Sequence, residues 1–189
     1  MDVFVEKTPI KDLLVISHQL HEDNRGFFLE VFRHDLFSAN HLPTDFVQLN
    51  HSRSEKGVVR GLHFQWNPPM GKLMWVTVGT AFLVAVDIRR GSPTFGRWHA
   101  VELSADDKKQ VLAPAGFARG FCVLSEHAEI QYLCTGTHNS EGESGVLWND
   151  PEIGIEWPIR DPKLSQKDQI ARTLAQWVQT EESRHFTYA

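Results

Sequence analysis

His63 is the first residue that could do chemistry, because it lies among apolar neighbours on a predicted strand over residues 58–65. Strict alternation places Val59, Gly61, His63 and Gln65 on one face of that strand. On a barrel strand such a face can line an internal cavity, where histidine is the commonest general base. The same position also suits a core histidine whose ring is satisfied by a hydrogen bond.

Three further residues could complete acid–base chemistry around this histidine. Lys72 begins a predicted strand, and inside a cavity its ammonium could stabilise a developing oxyanion. Tyr132 lies on a predicted strand over residues 128–135, and its phenol could act as a general acid. Asp168, in the first turn of a predicted helix, could orient His63. Taken singly, each residue also has a purely structural explanation. Lys72 fits a solvated surface charge, Tyr132 a core aromatic ring, and Asp168 a favourable contact with the helix dipole.

Arginines form a second group of interest, because their planar forks suit a diphosphate. We expect Arg25, Arg60 and Arg119 to create a local positive mouth despite the net charge of −5. Scattered arginines also fit a role in solubility alone. Strict alternation puts Arg60 and His63 on opposite faces of their strand. A bulge at Gly61 would remove this conflict, or Arg60 serves another cavity or a subunit interface.

Metal binding and nucleophilic catalysis find no support in the sequence. The ten histidines include no His-x-His pair, and only His18 and His21 have a suggestive spacing, in a polar stretch that reads as a solvated loop. Ser52 and Ser54 lack the Gly-x-Ser-x-Gly elbow of a serine nucleophile. A phosphate-binding glycine loop and a dinucleotide fingerprint are also missing from the sequence. We therefore predict that the chain binds no metal.

The elements that must position these residues are short strands separated by Gly, Pro, Asn and Asp. The predicted strands cover residues 27–32, 58–65, 72–78, 81–88, 98–103, 110–113, 120–124 and 128–135. Gly79 and Thr80 indicate a hairpin between the third and fourth of them. Because the gaps are too short for helical crossovers, the pattern favours an all-β sandwich or barrel, with a jelly roll as the natural candidate.

Two segments have helical patterns. One covers residues 33–40. The other follows Ser165, where Asp168 forms a loose capping box and the residues predicted to share an apolar face are Ile170, Leu174, Trp177 and Val178.

Composition limits the class of protein. The 189 residues are 41% hydrophobic and 23% charged, which is typical of one globular domain, and we predict a single domain over residues 1–189. The excess of 24 acidic over 19 basic residues argues against a nucleic-acid partner, and no apolar run is long enough for a membrane partner. Two cysteines and an N-terminus without signal-peptide character indicate the cytoplasm.

Seven blocks, in order over roughly residues 5–170, resemble the dTDP-4-dehydrorhamnose 3,5-epimerase family. They are DNRGFF (23–28), QLNHSRS (48–54), GVVRGLHFQ (57–65), VDIRRGSPTFG (86–96), PAGF (114–117), WNDP (148–151) and LSQKD (164–168). The resemblance implies a cupin-like jelly-roll barrel that works as a homodimer on a nucleotide sugar without a cofactor.

The resemblance also implies roles for individual residues. His63 falls on the family's catalytic base, Asp168 on its dyad partner, Tyr132 on the general acid and Lys72 beside the C4 oxygen of the sugar. The positions expected to bind the substrate are Arg25, Glu30, Gln48, Asn50, Arg60, Arg119, His138, Glu143 and Lys167. The implied reaction inverts C3, C5 or both in a 4-keto-6-deoxyhexose through an enolate, with dTDP-4-dehydrorhamnose as the default product.

Two departures from the family leave the substrate open. Arg119 stands where the family usually has a histidine, and His138 lies where an aromatic residue usually stacks on thymine. A 3- or 5-monoepimerase for another nucleotide sugar, such as a CDP-linked one, is therefore an alternative. A related barrel that isomerises sugar nucleotides is more distant, and a non-catalytic carbohydrate-binding barrel belongs to another class. The joint presence of His63, Asp168, Tyr132 and Lys72 argues against the last of these.

Overall fold

A computed structural model of the chain describes residues 2–188, which fold mainly into antiparallel strands. The strands are β1 (Val3–Lys7), β2 (Leu14–His18), β3 (His21–Asp23), β4 (Gly26–Phe28), β5 (Gln48–Glu55), β6 (Val59–Gln65), β7 (Lys72–Val78), β8 (Thr80–Asp87), β9 (Trp98–Ser104), β10 (Gln110–Ala113), β11 (Phe117–Val123), β12 (His127–Cys134) and β13 (Glu143–Gly145). The helices are α1 (His34–Ala39), α2 (Gln166–Gln169) and α3 (Leu174–Val178), followed by a 3-10 turn at Glu182–His185.

Two sheets form the barrel. One has the order β1-β2-β10-β7-β12-β5 and the other β13-β6-β11-β8-β9, while β3 and β4 form a separate hairpin. The eight strands from β5 to β12 divide into two four-stranded halves, β5-β12-β7-β10 and β6-β11-β8-β9. The chain crosses between these halves at most of its turns, which is the connectivity of a jelly roll. The predicted all-β, cupin-like jelly-roll fold is confirmed.

Apolar side chains fill the space between the sheets and also cover their outer faces. The inner cluster includes Leu83 and Ala85 from β8 together with Ile130 from β12. Val84 and Val86, which alternate with the inner residues, pack against the C-terminal segment on the outer face. Because both faces of β8 are buried, the strand is a continuous apolar run, which is why the sequence predicted it clearly.

The turn at Gly79 and Thr80 corrects one prediction. The predicted hairpin is wrong, because β7 pairs with β10 and β12 whereas β8 pairs with β9 and β11. The residue pair therefore forms a tight corner between the two sheets, and Gly79 provides the positive φ of 76° that this corner uses. The predicted strand over residues 27–32 is also too long, since β4 ends at Phe28.

The helix predicted after Ser165 consists of two short helices. α2 is a single turn, and α3 begins anew at Thr173, whose side chain forms a capping box with Gln176. Leu174 and Trp177 are buried as predicted, but Ile170 lies between the helices and is 76% exposed, so its predicted place on the apolar face is wrong. In the described residues 2–188, no helix is long and apolar enough to span a membrane.

Candidate active site

A cavity of about 130 Å³ opens between the two sheets, and it brings together five of the residues singled out in the sequence. These are Arg60, His63, Lys72, Arg119 and Tyr132. They come from four different strands, β6, β7, β11 and β12. The jelly roll thus assembles in space a set of side chains that is dispersed in the sequence.

A bulge in β6 explains how Arg60 and His63 can line the same cavity. The register between β6 and β11 shifts between Arg119 and Phe121, so that one residue of β11 faces two of β6. Gly61 lies in this shift with a φ of 123°, a conformation that other residues rarely adopt. Of the two explanations offered for the conflict between Arg60 and His63, the bulge at Gly61 is confirmed.

Asp168 holds the imidazole of His63 in one orientation. The Nε2 atom of His63 lies 2.5 Å from Oδ1 of Asp168, and the hydroxyl of Ser165 donates to Oδ2 at 2.9 Å. Burial acts to raise the pKa of Asp168, but the hydrogen bond and charge of His63, with further hydrogen bonds from Ser165 and the Gly61 backbone, keep that pKa below its ordinary value. An ionised carboxylate at this place favours the tautomer with the proton on Nε2, which leaves Nδ1 able to accept a proton.

Lys72 and Tyr132 are in contact inside the cavity. The Nζ atom of Lys72 lies 4.7 Å from the centroid of the Tyr132 ring. Burial, followed by repulsion from Arg119, lowers the pKa of Lys72 to about 8. Burial raises the pKa of Tyr132, and a hydrogen bond with Asn50 opposes that rise. The phenol therefore keeps its proton at neutral pH, whereas Lys72 loses its proton in the mildly alkaline range.

Arg119 is buried to an unusual degree for an arginine, with only 4% of its surface exposed. Its Nη1 atom donates to the carbonyls of Met70 at 3.0 Å and Ala113 at 3.3 Å. Among residues 2–188, the Nε and Nη2 atoms have no hydrogen-bond partner. Burial lowers the pKa of Arg119 to about 10, so the guanidinium is charged at neutral pH.

Polar groups on β5 connect the cavity to the loop that carries His138. Gln48 donates to Asn50 at 2.9 Å and accepts the backbone N–H of His138 at 2.8 Å. Asn50 in turn pairs with Tyr132 across the strands β5 and β12. His138 itself is exposed. Of the three predicted binding residues in this group, Asn50 therefore lies next to Tyr132, and Gln48 links Asn50 to the backbone of His138.

Glu143 and Lys167 form an ion pair of 2.8 Å on the other side of the dyad, where they line a shallow depression with His63 and Asp168. Burial acts to raise the pKa of Glu143, but the hydrogen bond and charge of Lys167 outweigh burial and lower it. These two residues are therefore close to the histidine although they lie outside the inner cavity.

Arg25 and Glu30 are not brought to the cavity. Arg25 lies at the β3–β4 hairpin, where its side chain is 85% exposed and bonded to Asp23. Glu30 pairs instead with Arg33 at 3.0 Å. Within one chain the predicted positive mouth does not include Arg25, because Arg60 and Arg119 are the two of the three arginines that share a cavity, with Lys72 as the third cation.

Two residues with a place in this site were missed in the sequence. Ser165 bonds the carboxylate of Asp168, and the capping-box pattern could have shown this proximity. Gln65 is buried and accepts the N–H of Asn139 at 2.8 Å while it donates to the carbonyl of Thr137 at 3.1 Å. Gln65 thereby fixes the loop that carries His138, a contact for which the sequence holds no local signal.

Proton transfer next to a stabilised negative charge is the chemistry that these side chains can carry out. Residues 2–188 contain no group of three or more His, Cys, Asp or Glu side chains that could hold a metal ion. The cations in the cavity are those of the chain itself, and the nearest polar groups are acids, bases or hydrogen-bond donors. A jelly-roll barrel with this chemistry is suited to an isomerase that moves protons on a carbon beside a carbonyl group.

A family model described as dTDP-4-dehydrorhamnose 3,5-epimerase matches residues 7–176, and the chain belongs to this family. The dTDP-4-dehydrorhamnose 3,5-epimerase of Shigella flexneri is 50% identical over 166 residues, which cover 87% of this chain and 92% of the relative. The Neisseria gonorrhoeae protein of the same name is 49% identical over 93% of this chain, which spans only 53% of that longer relative.

Solved structures agree with this assignment. The dTDP-6-deoxy-D-glucose-3,5-epimerase of Legionella pneumophila, in complex with dTDP-4-keto-L-rhamnose, is 40% identical with a TM-score of 0.91, covering 99% of this chain and 98% of that one. The 3'-monoepimerase ChmJ of Streptomyces bikiniensis, in complex with dTDP-quinovose, is 34% identical with a TM-score of 0.84, covering 89% of this chain and 86% of that one.

Proposed function

We propose that the chain inverts C3 and C5 of dTDP-4-keto-6-deoxyglucose to give dTDP-4-dehydrorhamnose. The observation that carries this proposal is one cavity that holds His63, oriented by Asp168, together with Tyr132 and Lys72. The names of the most similar relatives support the same reaction. We also propose that residues 1–189 act as one domain in the cytoplasm, which the two free thiols support.

The first step removes a proton beside the ketone. A carbonyl at C4 acidifies the C–H bonds at C3 and C5, and Nδ1 of His63 takes one of these protons. The electron pair of the broken C–H bond moves into the ring as an enolate, and the negative charge collects on the C4 oxygen. The ammonium of Lys72 stabilises this oxygen in a site where water is largely excluded.

The second step returns a proton to the opposite face of the same carbon. Tyr132 supplies it, and its raised pKa keeps the phenol protonated until the enolate forms. The phenolate and the imidazolium then exchange protons with water, and the two steps repeat at the second carbon. Each step moves only protons, so atoms and charges balance without an oxidant or a reductant.

A specific observation favours one alternative, a monoepimerase that inverts a single carbon. The similar structure of ChmJ is named a 3'-monoepimerase, so the fold and a comparable site are compatible with inversion at a single carbon. Arg119 and His138, the two departures from the family, are the residues through which another sugar or a CDP-linked nucleotide would be selected. The higher identity to 3,5-epimerases, 50% and 40% in the examples above, favours inversion of both centres.

We also propose that the chain works as a homodimer. The β3–β4 hairpin exposes Phe27 and Phe28, by 55% and 60%, beside the outward-pointing Arg25. A second copy that covers this apolar surface could receive Arg25 and Glu30 at its own cavity. Mixed dimers of Arg25→Ala and His63→Ala chains would then contain one intact site and regain activity. If purified mixed dimers showed no recovery of activity, the proposal that Arg25 of one copy serves the cavity of the other would be contradicted.

The reaction is tested by identifying the product. We would incubate the protein with dTDP-4-keto-6-deoxyglucose, reduce the mixture with borohydride and analyse the released sugars. Inversion at both carbons yields rhamnose and 6-deoxytalose, whereas the unchanged substrate yields quinovose and fucose. Sugars with only one inverted carbon would establish the monoepimerase, and unchanged substrate would contradict the proposed function.

A further inference from the structure

We infer that Arg119 is a second oxyanion-binding group, which binds the C4 oxygen of the enolate together with Lys72. This inference rests on the proposed function and deepens it. Two unpartnered donors, the position of the guanidinium and the charges around Lys72 support it, and each points to a small anionic oxygen at the inner end of the cavity.

The first observation is the orphaned donors. Arg119 is 4% exposed and lines the cavity, yet its Nε and Nη2 atoms form no hydrogen bond within the described part of the chain. A buried charged donor without a partner is costly, because its hydration has been lost without replacement. Only Nη1 is occupied, by the carbonyls of Met70 and Ala113, which fix the guanidinium in place. The N–H groups of Nε and Nη2 are thus held ready for an acceptor that the substrate supplies.

The second observation concerns which substrate group reaches them. His63 and Tyr132 line the same cavity of about 130 Å³, so the carbons that exchange protons must lie there. The diphosphate and the nucleotide then extend from the sugar ring towards the open side of the cavity, where Arg60 lies. Arg60 is the exposed arginine of the cavity and bonds Ser54 at 2.9 Å, which makes it the better group for the diphosphate. The C4 oxygen, attached between the two reacting carbons, is the acceptor left for Arg119.

The third observation is the mutual repulsion of the two cations. The charged and titratable groups facing Lys72 are Arg119 on β11, Tyr132 and Cys134 on β12, Glu143 on β13 and Lys167 on α2. Among these groups, the charge of Arg119 has the largest effect on the pKa of Lys72, which it lowers. A negative oxygen between the cations relieves this repulsion. The pair therefore binds the enolate more strongly than the neutral ketone, which is the condition for catalysis.

The test compares Arg119→Met with Arg60→Met, a matched change at the mouth of the same cavity. For Arg119→Met we expect kcat to fall by about 10²–10³-fold with little change in KM, because an oxyanion donor is lost. The alkaline limb of kcat/KM should also move to higher pH, because Lys72 loses its cationic neighbour. Arg60→Met should raise KM and leave the alkaline limb in place. Arg119→Lys, which keeps the charge with fewer donors, should lose part of kcat without moving the limb.

Thermal unfolding separates these effects from misfolding. Arg119→Met should unfold cooperatively near the wild-type Tm, because the removal of two unsatisfied donors offsets the loss of the Nη1 bonds to Met70 and Ala113. An Arg119→Met variant that raises only KM, as Arg60→Met does, would overturn the inference and assign Arg119 to ground-state binding. An unmoved alkaline limb would overturn it as well. Inactive wild-type protein would instead contradict the proposed function, and the inference with it.

Discussion

His63 and Asp168 are 105 positions apart in the chain, yet Nε2 of the histidine and Oδ1 of the aspartate are 2.5 Å apart. β6 carries the histidine and the single-turn helix α2 carries the aspartate. The side chain of Ser165, at the N-cap of α2, bonds the second carboxylate oxygen and accepts the backbone N–H of Asp168. The helix is short, but its cap fixes the carboxylate that orients the base.

Asp168→Asn should lower kcat by about 10²–10⁴-fold while the fold is retained. The amide carries no charge to stabilise the imidazolium and has one acceptor atom where the carboxylate has two. Ser165→Ala is the matched control, because it keeps the carboxylate and removes only the hydroxyl that bonds it and caps α2, so kcat should fall less than in Asp168→Asn. Wild-type kcat in Asp168→Asn, measured by the rate of product formation, would contradict the dyad.

Tyr132→Phe should separate proton removal from inversion. His63 can still take the proton and return it to the same face, so hydrogen exchange with solvent should continue. Inversion needs the donor on the other face and should fall by at least about 10²-fold. The ring that contacts Lys72 is kept in this variant. NMR in D₂O reports both quantities in one sample, and full inversion by Tyr132→Phe would exclude the phenol as the acid.

Lys72 should give the alkaline limb of the pH–rate profile. Its pKa of about 8 predicts that kcat/KM falls above about pH 8, as the ammonium that stabilises the enolate loses its proton. The folded pKa lies below the unfolded value of about 10.4, so the unfolded chain binds more protons between these two values. Lys72 therefore makes stability rise with pH through this window.

The control for this titration is Lys72→Met, which should remove both effects. The free energy of unfolding between pH 8 and 10 should depend less on pH in the variant, and its residual activity should lack the limb. Urea denaturation at several pH values measures the first effect. A wild-type limb that persists in Lys72→Met would assign the titration to another group.

Gly61→Ala should damage both the fold and the site. A β-carbon there would lie 2.7 Å from the carbonyl oxygen of Arg119 and from Cα of Gly120, in a backbone with a φ of 123°. We expect the free energy of unfolding to fall by more than about 2 kcal/mol. Gly91→Ala is the matched control, since its φ is 80° but its surroundings are open, and about 1 kcal/mol is expected from strain alone. Equal losses in the two variants would contradict the close packing at the bulge.

The strands that the sequence predicted best are those that pack apolar side chains on both faces. β7 and β10 begin and end as predicted, and β8 differs by one residue at each end. β5 went unpredicted because its inward residues Gln48, Asn50 and Ser52 approach the cavity rather than an apolar core. Its burial alternates along the strand, but polar residues occupy both faces. A functional strand thus lacks the hydrophobic pattern by which strands are recognised.

The inner part of the site was predictable for a different reason. The conflict between Arg60 and His63 on alternating positions pointed to Gly61, because glycine is the residue that a bulge of this kind uses. Local patterns could not place Arg25, because the position of the β3–β4 hairpin depends on tertiary packing. Ile170 was misplaced because the interruption between α2 and α3 follows from the capping of a new helix at Thr173. An interruption of this kind depends on side-chain hydrogen bonds at a helix cap, which the hydrophobic periodicity of the sequence does not show.

Exchange with solvent deuterium reports whether His63 removes protons from both carbons beside the ketone. We would incubate wild-type protein and His63→Ala with dTDP-4-keto-6-deoxyglucose in D₂O and follow C3 and C5 by NMR. The predicted result is deuterium at both carbons with wild-type protein, and exchange slower by at least about 10²-fold with a folded His63→Ala variant. Exchange at neither carbon by the wild type, or at the wild-type rate by His63→Ala, would contradict the account.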